Sequence, residues 1–426
     1  MVLRNTFFLV LFSFLLQGKD SGKIFAQDSL FSQKKYRQSV ELSGEGFFTS
    51  NTITNDFILT FYKGGFIDNV LKESSTERIR TSNLFGGASK LGVTYSISRI
   101  PSAFENNRER TFSFSFFDRQ HLDIKFSDDL YYTLFYGNKM FEGDTARLGN
   151  FNMNLLRYQQ FRFGWSWKGD AVHGSYGVAF SLLSGEQNIS VNVPKANLFT
   201  ANDGTYLDFA LAMNVQQTDT SNKNFFSQNG MGLSTDFYYE MPYTFLKKPG
   251  RITFEVWDLG FIRWNSNSMH YAVDSSYHYD GVNVNDILNI DNTSGSHFNL
   301  DSVIDKNTKF RKEQYTTEIP CTFDIHTKSS YGKQIAFEKG ITFWFNTSAK
   351  PYYYAKLHFI FGKKKSSDVA YIFGYGGYGR FNSGLQATID FAKSYSIQLI
   401  DNYLFSSITS NFNYGQGLYL KIVKRF

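Results

Sequence analysis

The chain has 426 residues, enough for two or three ordinary domains or for one large barrel. Its single cysteine, Cys321, excludes an intrachain disulfide and a cysteine-built metal site, and its 44 basic and 38 acidic side chains leave a formal charge of +6. The basic residues are scattered except for Lys363, Lys364 and Lys365, so no nucleic-acid interface is expected.

The chain opens with Arg4 and an apolar run from Phe7 to Leu16, too short to span a bilayer as a helix and of the kind that directs export. Ile24, Phe25 and Ala26 precede Gln27, and the small residue at position 26 places cleavage after it. Removing residues 1–26 takes away Arg4, Lys19, Lys23 and Asp20, so 41 basic and 37 acidic side chains remain of the 44 and 38.

Residues 27–78 are expected to form a separate N-terminal segment. Within it, Thr54, Asn55 and Asp56 offer helix caps before Phe57, Ile58, Leu59 and Phe61, and Gly64-Gly65 interrupts. This reads as a short helical plug or periplasmic lid; an ordinary first hairpin turning at Gly64-Gly65 is the alternative.

From residue 79 onward the pattern is alternation. Thr111 to Phe117 places Phe112, Phe114 and Phe116 on one face and small hydroxyls on the other, which is a strand. Leu207, Phe209, Leu211 and Met213 alternate with Asp208, Ala210 and Ala212, and Ile252, Phe254 and Val256 with Thr253, Glu255 and Trp257. Leu357, Phe359 and Phe361 then stand against Lys356 and His358, and Leu385, Ala387, Ile389 and Phe391 against Gln386, Thr388 and Asp390.

Phe occurs 46 times and Tyr 27 times against 6 prolines. Aromatic-rich strands in a chain of polar mean hydropathy are what a membrane barrel requires, because lipid meets only every second side chain and aromatic girdles sit at both interfaces. A soluble β-sandwich would also alternate, but would show its polar face to water. The reading is therefore all-β: a transmembrane antiparallel β-barrel spanning 79–426, of about 14 strands within a range of 12–16, with a short N-terminal plug or periplasmic segment. Segments near ten residues long at 353–362, 369–378, 383–392 and 395–405 suit a tilted crossing.

An even strand number puts both ends of the chain on the periplasmic side. Ala392 to Ser394, Gly362 to Asp368 and Leu246 to Gly250 then become periplasmic turns, and the stretch 275–312 a long extracellular loop. That loop is rich in Asp, Asn and Ser from Tyr279 to Asp305, with local structure expected from Val284 to Ile290. The final strand, Gly417 to Phe426, sets Leu418, Leu420, Ile422 and Phe426 on one face and resembles the signal by which such barrels are recognised for assembly; Lys424 departs from it, its long stem allowing it to snorkel.

Asp208, Glu255, Lys356, His358, Asp390, Gln398 and Lys421 are the polar members of alternating strands and candidates to line the lumen. Arg263 joins them because a mid-depth arginine facing lipid costs roughly 2–4 kcal/mol, so a lumen or rim position is expected. Asp258 is its nearest acid, but five positions apart puts the two on opposite faces unless a bulge intervenes; Asp401 is the alternative partner. The reading for Arg263 is either solute selection or an ion pair that fixes barrel shape. His270, His278, His297 and His326 lie where a surface hydrolase could place them, yet without a nucleophile motif or ligand spacing, so neither catalysis, metal nor cofactor is expected.

Ser50-Asn51, Gly64-Gly65-Phe66-Ile67-Asp68, Asp258-Leu259-Gly260-Phe261-Ile262-Arg263-Trp264, Tyr279-Asp280-Gly281 and Asp401-Asn402 together resemble an outer-membrane β-barrel family of unknown function (DUF5723-type, membrane β-barrel superfamily). Within these, Asp258, Gly260, Arg263, Trp264, Asp401 and Asn402 carry the likeness most directly. The resemblance implies export, an outer-membrane barrel of Gram-negative type and no assigned activity. The expected function is a porin-like channel or transporter for a small or hydrophobic solute, with outer-membrane lipid, lipopolysaccharide and the barrel-assembly machinery as partners. The rival is a structural barrel that docks a secretion or surface-display partner.

Overall fold

The computed structural model describes residues 38–99, 109–169, 173–219, 226–245, 248–280, 309–332, 334–361, 367–391, 394–404 and 414–426. The expected export signal, residues 27–37 and most of the long acidic loop lie outside these residues.

The chain enters the wall at β1 (Gln38–Ser50) and continues through β2 (Asn83–Arg99), β3 (Arg110–Phe126), a short β4 (Thr145–Arg147) and β5 (Phe151–Trp167). There follow β6 (Ser175–Thr200), β7 (Leu207–Gln217), β8 (Gly230–Phe245), β9 (Lys248–Trp264) and β10 (Met269–Tyr279), then short β11 (Lys309–Lys312) and β12 (Thr316–Glu318). The second half runs up and down through β13 (Cys321–Tyr331), β14 (Ile335–Phe345), β15 (Lys350–Phe361), β16 (Ser367–Gly377), β17 (Phe381–Phe391), β18 (Tyr395–Asp401) and β19 (Gly415–Arg425). β1 pairs with both β2 and β19, so the sheet closes into a 14-stranded antiparallel barrel. Closure leaves no wall strand with an unpaired edge. Ser39 lies opposite Arg425, which puts the start of β1 and the end of β19 at one rim, here the terminal end; the opposite rim is the far end.

Alternation sets the two faces. Phe112, Phe114, Phe163 and Trp165 are 41–52% exposed on the outside. Their cross-strand neighbours meet as rings, Phe114 and Phe163 at 5.3 Å between centroids, which stiffens the wall beyond the area each covers. The intervening Ser115, Arg119, Gln160 and Arg162 point inward and are buried.

Among the described residues three α-helices punctuate the far end: α1 (Asn55–Tyr62), α2 (Asn69–Thr76) and α3 (Asp128–Tyr136). Each begins where a side chain caps a backbone N–H: Thr54 accepts from Phe57, Asp68 from Leu71 and Ser127 from Leu130. Phe48, Phe85, Leu122, Leu155 and Ile189 form an apolar band on the outer surface of β1, β2, β3, β5 and β6, and Phe57, Ile58 and Tyr131 bury it. The expected plug or periplasmic lid is thus corrected in two ways. Residues from Gln38 to Ser50 already belong to the wall, and the helices that follow clasp its outside at the far end, because the apolar surface to be covered there faces outward.

β6 is long enough to serve two sheets. Ser175 to Gly185 pair with β8 inside the ring, whereas Ile189 to Thr200 pair with β7. β7 in turn pairs with β10, and β10 with β11, so these strands project from the far end as an accessory sheet. The apolar face of β7 therefore meets protein rather than lipid: Phe209, Leu211 and Met213 pack against Ala146, Leu148, Val193 and Ala196. The stretch expected as loop from 275 begins and ends in strand, since β10 runs to Tyr279 and β11 begins at Lys309.

Candidate functional site

Inside the barrel, among the described residues, inward side chains gather into ionic clusters and apolar ones. The first ionic cluster is built on β3, β5, β8 and β9. Arg119 Nη1 donates to Asp258 Oδ2 at 2.5 Å and to Gln160 Oε1 at 2.9 Å, and Gln160 Nε2 donates to Asp258 Oδ1 at 2.8 Å. Arg162 Nε reaches Asp236 Oδ2 at 2.5 Å, and the Asp258 N–H donates to Asp236 Oδ1 at 2.6 Å. Desolvated carboxylates and guanidiniums are stable only when paired in this way.

A bulge makes the cluster possible. Thr235 lies opposite Leu259 while Phe237 lies opposite Val256, so β9 carries an extra residue, and Asp258 sits in the left-handed region at φ 62°. Aspartate tolerates that conformation better than most residues. The extra residue sends both Trp257 and Asp258 inward, where the Trp257 ring receives the Arg162 guanidinium at 4.9 Å.

Above it, toward the far end, Leu156, Tyr158, Leu183, Ile262, Trp264 and Ile319 fill the bore. The Trp264 indole lies against Gly185 and Gly230, where an added Cβ would come within 2.5 and 2.7 Å of its ring, and its Nε1 donates to Thr317 at 3.0 Å.

The second ionic cluster lies on β13 to β16. Lys356 Nζ is 2.9 Å from Glu338, and His358, fully buried, stands 3.3 Å from Glu338 and 2.9 Å from Asp368. Beside it Asp324 holds His326 at 2.7 Å and accepts from Thr342 at 2.5 Å and from the Tyr354 hydroxyl at 3.2 Å.

The far mouth is crossed by two turns. Asp123 on β3 accepts from the Ser348 N–H and the Ser348 hydroxyl, both at 2.8 Å, although the β14–β15 turn stands opposite β3 around the ring. Tyr378, in the β16–β17 turn, packs with Phe47 and Leu84 and lies over Gly86.

Of the residues expected to line the lumen, Glu255, Lys356, His358, Asp390, Gln398 and Lys421 occupy inward positions. Glu255 accepts from Trp257 Nε1 at 3.0 Å, and Asp390 lies 3.6 Å from Arg425. Two are corrected. Arg263 points outward at the far end of β9 and donates to Gln314 at 2.6 Å, because the bulge reverses the face of everything beyond Asp258. Asp208 is exposed on the accessory sheet, 2.5 Å from His278, because β7 leaves the ring.

Neither expected partner meets Arg263. Asp258 pairs with Arg119, and Asp401 accepts from the Tyr403 N–H at 2.8 Å beside β18. The Asn402 carbonyl accepts from Asn382 at 2.8 Å, and Gly260 lies so close to Leu233 and Ser234 that a Cβ there would collide with both. Within β19, Leu418 and Leu420 are exposed outward while Gly417 faces in; the Phe426 N–H donates to Gln38, and Lys424 folds over the Phe426 ring. His270 pairs with Glu313 at 2.9 Å outside the bore. His297 lies outside the described residues.

Sequence reasoning passed over Arg119, Gln160, Arg162 and Asp236. The signal was present: Arg162 stands between Phe161 and Phe163 in the same alternation that identifies the neighbouring strand.

Similar solved structures include the toluene transporter TodX of Pseudomonas putida, at 7% identity and TM-score 0.40, covering 92% of this chain and 91% of that one. A Pseudomonas aeruginosa FadL homologue has 10% identity and TM-score 0.37, with 92% and 90% covered. The translocator domain of autotransporter NalP from Neisseria meningitidis has 7% identity and TM-score 0.33, with 93% and 90% covered. A search of curated proteins returned no match. The sequence profile of a family of unknown function, DUF5723, matches residues 30–419, and the chain belongs to that family.

Proposed function

We propose that this chain is an exported outer-membrane barrel that works as a gated channel or transporter for a small or hydrophobic solute, with its terminal end in the periplasm. Outward Phe, Tyr, Trp and Leu side chains around the wall form an apolar surface that suits lipid, whereas the charged side chains within the wall, Arg119, Arg162, Asp236, Asp258 and Glu338 among them, are turned inward. Lipid, lipopolysaccharide and the barrel-assembly machinery are the partners this placement implies. The reading gives the chain no catalytic step.

The observation that carries the gate is the contact of Asp123 with Ser348 across the mouth. One short turn tied to β3 by two hydrogen bonds, and a second packed on Phe47 and Leu84, form a closure that depends on non-covalent contacts across the mouth. Hydrogen bonds to a charged group are worth about 1.5–3 kcal/mol each, so removing both shifts a closed-to-open ratio by at least about tenfold. Single-channel recording of the refolded chain in a planar bilayer tests this. Rare openings are expected in the unaltered chain and frequent ones in Asp123→Ala. Silence in both, with folding shown by heat-modifiable migration, would support the structural barrel instead.

A further inference from the structure

Three arginines from distant parts of the chain converge at the far rim, beyond the wall. We propose that Arg78, Arg80 and Arg380 form a binding site for the phosphate of an anionic lipid headgroup. The proposal rests on the membrane placement argued above and adds a ligand to it.

Arg78 and Arg80 follow α2, and Arg380 lies in the turn between β16 and β17. Arg380 Nη2 donates to the Arg78 carbonyl at 2.9 Å, which fixes one strand turn against the end of the helical segment. The Arg78 guanidinium stacks on the Tyr414 ring at 4.1 Å, and Arg80 Nη1 donates to the Ile79 carbonyl at 3.1 Å. Among the described residues no ion pair engages any of the three. Burial first, and then the charges of Arg78 and Arg80, hold the Arg380 guanidinium below its usual range. Glu77 acts on the same Tyr414 hydroxyl, so three positive charges stand against one negative.

Three like charges with a single counter-charge raise the energy of the folded chain, and an anion relieves it. Guanidiniums present planar forks that match phosphate oxygens, and here their spread donors come from two separate segments.

The surroundings select a lipid as the source. Tyr375 and Phe381, paired across β16 and β17 on the outer face, flank the Arg380 turn and are 60% and 65% exposed. An arginine cluster bordered by outward aromatic side chains has the chemistry of a headgroup boundary, where acyl chain and phosphate are met together.

Isothermal titration of the full chain, refolded in neutral detergent, would use lipid A with both phosphates, dephosphorylated lipid A and inorganic pyrophosphate as probes. Binding of the phosphorylated lipid at least about tenfold tighter than of the dephosphorylated one is expected, with Arg80→Gln/Arg380→Gln losing that preference. Arg80→Gln alone, a change at an exposed side chain, serves if the double variant misfolds, and should lose about threefold. Equal binding of the two lipids, or an unchanged preference in the variants, would overturn the site. Pyrophosphate binding as tightly as the lipid would overturn the lipid assignment. Channel recordings do not depend on this site, so its failure and that of the gate are separable.

Discussion

Arg119 on β3 and Asp258 on β9 meet at 2.5 Å although β5, β6 and β8 lie between them in the wall. Gln160 and Ser181 fill the space beneath, so the pair acts as a chord across the bore. Removing one member strands a buried charge, and Arg119→Met or Asp258→Asn should each cost about 3–5 kcal/mol. The double variant should recover a large part of the loss. Denaturant unfolding in detergent micelles, followed by tryptophan emission, measures both.

Trp264 leaves no room at Gly185 or Gly230. Gly185→Ala forces the indole aside or opens the β5–β6–β9 side of the bore, and overpacking of this kind costs about 1–3 kcal/mol. The emission of Trp264 should shift to the red as its ring gains water. An unshifted spectrum with unchanged stability would show that the strands give way instead.

Phe57 anchors the helical clasp against Phe135, edge to face at 5.0 Å, and against the outer band. Phe57→Ala should loosen α1 and α2 at a local cost of about 3–5 kcal/mol while leaving the ring closed. Limited proteolysis should then cut within 51–82 much faster than in the unaltered chain, with heat-modifiable migration preserved.

His278, on the accessory sheet beyond the wall, donates hydrogen bonds from Nδ1 to Asp208 and from Nε2 to Asp280, at 2.5 and 2.7 Å, and stands 5.2 Å from the Tyr206 ring. The two carboxylates raise its pKa above the usual 6.5. A raised folded-state pKa contributes stability that is present in full below 6.5 and is lost as the pH climbs through the raised value. Hydrogen exchange in β7 and β10 should therefore quicken as the pH rises past 6.5 beyond its ordinary pH dependence, and His278→Gln should abolish that excess.

Much of the wall was legible because alternation is local. Thr111 to Phe117 declares its outward phenylalanines without reference to any other strand, and Leu385 to Phe391 does the same. The candidate site was legible only in part. Lys356 and His358 follow from alternation, but the Arg119–Asp258 pairing depends on how many strands separate two inward residues. Arg263 shows the limit from the other side: one extra residue at Asp258 reverses every later assignment on β9, and a left-handed aspartate has no sequence signature of its own. The first helix was recognisable from Thr54, Asn55 and Asp56, yet its place outside the wall follows from Leu122 and Leu155, which read alone as ordinary strand residues.

The seam between β1 and β19, running from Ser39 with Arg425 to Thr49 with Gly415, joins the first described strand to the last. Until both are in place, each presents a row of unsatisfied backbone donors and acceptors, the template on which edge-to-edge aggregation grows. The nascent chain must therefore be kept apart from its own copies until its final strand has been delivered, and a truncation inside β19 would leave an adhesive sheet in place of a slightly weakened barrel.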